Sequence, residues 1–136
     1  MNFFAPETAP AVLLYNFSRD KRTEAIEAFL SSVGVRFSHV PVTDFNRRIG
    51  ALLSLPGAEM GTNSVTYPFF TDEMLVMSGF SQDMLQDFLS FFREKQLRRV
   101  ALKAMLTPTN ASWSGAELVR HLKQEQAQFE KAAKRR

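Results

Sequence analysis

The sequence contains no cysteine. Disulfide scaffolds, thiolate nucleophiles and every Cys-bearing zinc site are therefore excluded, and a cytosolic or bacterial setting is favoured. No apolar run approaches the ~18 residues of a membrane helix. The opening Met1-Asn2-Phe3-Phe4-Ala5-Pro6 has neither a basic leader nor a sustained apolar core, so no signal peptide is read there. A soluble cytoplasmic protein without a membrane partner is the expectation. Histidine is scarce: His39 and His121 are the two, and neither has a second ligand at a recognised metal spacing. There is no Gly-rich phosphate loop, no G-x-S-x-G elbow and no paired-carboxylate motif. No metal, cofactor or catalytic residue is expected.

What is present is a core. Apolar residues make up 45% of the 136 residues and 13 of them are Phe, enough for one domain of ordinary size. Residues 12–17 read as a buried strand, short and apolar. Ser18 can cap the helix that follows, in which Ala25, Ile26, Phe29, Leu30 and Val33 form one stripe. Gly34 suits the left-handed position after that helix. Residues 37–42 read as a second strand. Thr43 then caps a helix with Phe45, Ile49, Leu52 and Leu53 on one face, stopped by Pro56-Gly57.

The pattern then recurs. A third strand covers 74–77, and Phe80-Ser81 echoes Phe17-Ser18. The next helix puts Leu85, Phe88, Leu89 and Phe92 where the first has Arg22, Ala25, Ile26 and Phe29. A fourth strand spans 100–106, and a C-terminal helix begins near Ser114. The chain reads as an α/β (α+β) domain: β-α-β-α written twice, an internal repeat of pattern more than of identity. Its four strands are expected in one sheet, either interleaved in the ferredoxin-like manner or side by side in an open parallel sheet. The domain is expected over 11–125, with halves 11–55 and 73–125 joined by a long loop, 55–73. Residues 1–10 are expected to be a flexible N-terminus, and 126–136 the basic end of a long helix. The third strand lacks the aromatics of an RNA-recognition sheet.

Charge is uneven. Residues 1–92 hold 6 Lys/Arg and 10 Asp/Glu, net −4, whereas 93–136 hold 11 and 4, net +7. A basic helix end commonly complements the helix dipole; it also suits an acidic partner or a nucleic acid. The last helix is apolar at its start, through Leu118, Val119 and Leu122, and later only at Phe129. Its second half is expected to project into solvent or to meet another subunit.

The segment 103–113 is the most informative. Ser114-Gly115-Ala116-Glu117 fits a capping box, with Trp113 and Leu118 at its hydrophobic-staple positions. Thr107, Thr109 and Asn110 surround Pro108, where side-chain turns are favoured. Lys103 either blocks an edge strand against aggregation or contacts a phosphate or carboxylate. Lys103, Thr107, Thr109, Asn110 and Trp113 are thus the candidate ligand-binding residues. The string Lys-Ala-x-x-Thr-x-x-Asn-x-x-Trp over 103–113, closing on Glu117-Leu118 and preceded by Met74-Leu75-Val76-Met77-Ser78-Gly79-Phe80-Ser81, resembles the bacterial family called domain of unknown function 3783. The resemblance is good from about residue 73 to 125. It implies membership of Lys103, Thr107, Asn110 and Trp113 in the family pattern, and no activity, cofactor or partner. The leading functional expectation is a non-enzymatic module that binds a small anionic ligand or a protein, and homodimerisation is open. A nucleic-acid-binding role through the basic C-terminal third is the alternative, and an enzyme using Lys103 and the 107–110 turn a further one.

Overall fold

The computed structural model describes residues 9–54 and 67–134. The helix stop at Pro56-Gly57, most of the 55–73 loop, the first eight residues and Arg135-Arg136 lie outside the described residues. Among the described residues the class is α/β, with four α-helices, a four-stranded sheet and a long C-terminal helix. The described chain divides into two compact units, residues 9–41 with 71–108, and residues 42–54 and 67–70 with 109–134.

The first unit holds the whole sheet. Strands β1 (Ala11–Tyr15) and β3 (Met74–Ser78) are buried at every residue. Such unbroken apolar runs belong to strands without a solvent face. The edge strands are β2 (Arg36–His39) and β4 (Leu102–Met105), and the order is β2-β1-β3-β4. β1 pairs with β2 and β3 with β4 in parallel, while β1 and β3 run antiparallel with Leu13 opposite Val76. This corrects both expected arrangements: the strands are not interleaved, and the sheet is mixed. Each crossover helix is flanked by short connections and lands on the neighbouring strand, the commonest outcome for sequential elements.

Helices α1 (Lys21–Ser32) and α3 (Gln82–Glu94) cover one face. Val12, Leu14, Leu75 and Met77 meet Ile26, Leu30, Phe88 and Phe91 in a single cluster. Phe29 stacks on both Phe88 and Phe91, at 5.7 Å and 4.5 Å between ring centres. α1 starts two residues later than expected, because Asp20 rather than Ser18 is the cap: its carboxylate accepts from the Thr23 N–H at 2.8 Å. That bond, the largest of the influences on it, holds the Asp20 pKa below the ordinary 3.8. At the other end Gly34 takes φ +77°, its N–H donating to Ser31 O and that of Val35 to Leu30 O. This is the Schellman closure, and Val35 and Leu30 share the core cluster. α3 is capped by Ser81 as expected, through the Met84 N–H. It ends the same way, with Gln96 at φ 54° where α1 has glycine.

The second unit contains α2 (Ile49–Leu52) and α4 (Gly115–Lys134). The expected helix from Thr43 through Leu53 is reduced to one 3₁₀ turn, Val42–Asp44, and the single turn of α2. Its backbone groups are engaged elsewhere. The Ile49 N–H donates to Trp113 O at 2.9 Å, Phe45 O accepts from the Ala116 N–H at 3.1 Å, and Arg48 bridges Ser114. A continuous helix would have needed those groups for itself.

Candidate functional site

The strand end and helix start singled out in the sequence fall in different units. In the first unit, Arg22 enters from the first turn of α1 and is only 7% exposed. Its guanidinium donates to the backbone carbonyls of Arg98 at 2.9 Å and Arg99 at 3.2 Å, and pairs with Glu73 Oε2 at 2.9 Å. This fixes the segment that leads into β4. Lys103 follows, in register with Leu75 and therefore on the face that α1 and α3 cover. Lys103 is half-buried, and its side chain has no hydrogen bond or ion pair among the described residues. Burial, and then the nearby Arg99 charge, push its pKa below the ordinary 10.5. Thr107 lies two residues past the end of β4 and is exposed.

In the second unit, Thr109 is exposed and Asn110 is buried at the start of a 3₁₀ turn, Asn110–Ser112. The turn closes on itself: Ser112 Oγ donates to Thr109 O at 3.0 Å and the Trp113 N–H to Asn110 O at 3.1 Å. Ser114 is fully buried, and its Oγ accepts from the Glu117 N–H at 3.1 Å, so the cap read from the sequence is present. Trp113 is half-buried and lies flat on His121, ring centres 3.9 Å apart and planes 8° from parallel. Glu117 Oε2 stands 3.9 Å from His121 Nε2. With the Ala116 and Glu117 N–H groups already donating to Phe45 O and Ser114 Oγ, two of the donors that an anion at this helix start would use are taken. Beside this segment Asn46 binds both backbone groups of Tyr67, and Arg120 sits over the Tyr67 ring at 5.0 Å.

Arg22, Arg99 and the His121 stack escape a reading of the sequence alone. Arg22 did leave a signal, since it is a charged residue at a position of the apolar stripe in α1. His121 left only its spacing from Trp113.

A cleft in the first unit, bounded by Leu30, Val33, Phe80 and Met84, encloses about 30 Å³. Ligand sites are roughly tenfold larger or more. Among the described residues no three His, Cys, Asp or Glu side chains gather as metal ligands, and no helix is long and apolar enough to cross a membrane.

These units define an α/β module built on a mixed four-stranded sheet, with a polar turn and a capped long helix. Residues 73–129 match the family described as Domain of unknown function (DUF3783). That stretch runs from just before β3 to Phe129 and takes in Lys103, Thr107, Asn110 and Trp113. No curated protein and no solved structure matches the chain.

Proposed function

We propose that the protein is a non-enzymatic interaction module of the cytoplasm whose binding element is the distal half of α4. One observation carries the reading: every residue from Lys123 to Ala133 is exposed, although the helix is continuous. At 20 residues α4 is about 30 Å long. Only its first turns are anchored, through buried Ala116, Leu118 and Val119. Leu118, Leu122 and Phe129 fall at i, i+4 and i+11, so one apolar stripe continues outward past the anchored part. Phe129 at its end is 81% exposed. Lys123 and Lys131 lie on the face opposite the stripe, and the stripe itself suits a protein that offers an apolar groove. A photo-crosslinking residue at position 126 should give one discrete adduct, and adding Phe129→Glu should remove it. Crosslinking no stronger than that of a probe on exposed Gln86 would refute the reading.

A further inference from the structure

β2 is an outer strand of the sheet, and part of its backbone is open on the outer side. Arg36 and Val40 turn their N–H groups inward, to Pro10 O at 3.3 Å and Leu14 O at 2.9 Å. Backbone direction alternates along a strand, so Phe37 and His39 turn theirs outward. Neither makes a backbone hydrogen bond on that side among the described residues. The open stretch is bounded at both ends, because the Val35 N–H already donates to Leu30 O at 2.8 Å and Pro41 has no N–H. Arg36, Ser38 and His39 are exposed. The His39 ring meets Phe37 edge-on at 6.4 Å, and its Nε2 bonds Glu27 of α1.

We propose that β2 pairs antiparallel with β2 of a second copy of this chain, about a two-fold axis through Ser38, which joins the two sheets into one. The register follows from the open groups. With Ser38 opposite its own copy, Phe37 of each chain exchanges both backbone bonds with His39 of the other. An axis at Phe37 would call on the occupied Val35 N–H, and one at His39 would call on Pro41. The side chains agree with the same register. Arg36 falls opposite Val40, so no like charges meet, and the two Ser38 hydroxyls share the close site where small polar pairs are favourable. The helices agree as well. α1 lies above β1 and β2, so α1 of the second copy comes about 10 Å away, an ordinary helix separation. One helical turn spans roughly two strand residues. Glu27 stands at His39, so Ser31 stands near Phe37, and the axis carries Ser31 of one copy to Glu27 of the other. Ser31 and Ala28 on this flank are exposed and small, which permits the approach. The surface belongs to the first unit and is independent of the distal half of α4.

Sedimentation of the full chain from about 10 μM to about 1 mM tests this. A reversible monomer–dimer equilibrium is expected, with a dissociation constant on the order of 0.1 mM because the interface is small. Amide exchange at Phe37 and His39 should slow as concentration rises, whereas the Val40 N–H, bonded to Leu14 O, stays slow throughout. Ser38 is exposed, so Ser38→Lys and Ser38→Glu keep the fold. Each should weaken self-association about tenfold or more by setting like charges face to face, and mixing the two variants should restore a dimer. Phe129→Glu, on α4, should leave the dimer unchanged. A chain that stays monomeric at about 1 mM would overturn the pairing. So would Ser38→Lys protein that associates like the wild type, a mixture of the two variants that stays monomeric, or a dimer abolished by Phe129→Glu.

Discussion

Trp113 contributes less to stability than a core tryptophan, because one face of its ring lies on His121 and the residue is only half-buried. Trp113→Ala should therefore cost about 1–3 kcal/mol, below the roughly 3–5 of a fully buried ring. The same variant should move the His121 ring-proton resonances downfield as the indole ring current is lost. Unchanged His121 resonances would mean that the stack does not exist in solution. Lys103 behaves oppositely, since its charge is a burden to the folded state. Its folded pKa lies below the unfolded 10.5, so at neutral pH both states are protonated and the full penalty applies. As pH rises from the lowered value towards 10.5 the folded state sheds the proton first, and stability rises relative to a chain without the group. Lys103→Met should be more stable at pH 7 by up to about 0.5 kcal/mol. That advantage should vanish above pH 10.5, and urea melts of both proteins at the two pH values measure it.

At the scale of elements, α1 and α3 end with the same backbone closure and different residues in the left-handed position, Gly34 and Gln96. Gln96→Gly removes a steric cost of roughly 1–2 kcal/mol and adds unfolded-chain entropy of about 0.5–1 kcal/mol. The expected net gain is about 0.5 kcal/mol, whereas Gly34→Ala should lose about 1 kcal/mol. No atom lies within 4 Å of a Cβ built at Gly34, so its loss would be conformational alone. A denaturation midpoint that falls in Gln96→Gly would contradict the account. The contrast also shows what the sequence revealed. Gly34 announced a helix end; Gln96 announced nothing, since only the bonds from Gln96 and Leu97 back to Arg93 and Phe92 disclose it. Similarly, Ser81 and Ser114 were legible as caps from local spacing. The helix expected from Thr43 was not corrected by any local signal, because its backbone groups pair with residues 113–116, some 65 positions away.

For the whole molecule, periodicity was enough for the four strands and their class. Strand order escaped it, because the pairing of Leu13 with Val76 leaves no trace in either residue. The candidate site was legible only as a list, Lys103 to Trp113. The anchor of its first part, Arg22, lies 76 and 77 residues from the carbonyls it holds. Charge read along the chain was equally blunt. The basic C-terminal third suggests nucleic acid, yet the exposed half of α4 bears one aromatic, Phe129, and the Trp113 ring is already stacked. Sequence-independent binding needs a series of stacking rings along a basic groove. Retardation of single-stranded DNA or RNA in gels should therefore be confined to low salt and be lost by about 0.15 M, as counterion release requires. Retention at that salt would restore the nucleic-acid reading.

The antiparallel junction of β1 and β3 has an electrical consequence. Each crossover helix runs back against the strand before it, so α1 and α3 point in opposite directions. Their macrodipoles, about half a charge at each end, are opposed and largely cancel along the strands. In a uniformly parallel sheet the carboxyl ends of all strands and the positive ends of the helices meet at one crevice, where ligands gather. Here β1 and β2 finish at one end of the sheet and β3 and β4 at the other. The fold thus has two weak poles in place of one strong pole, and an anion drawn to it must be held by side chains at an edge.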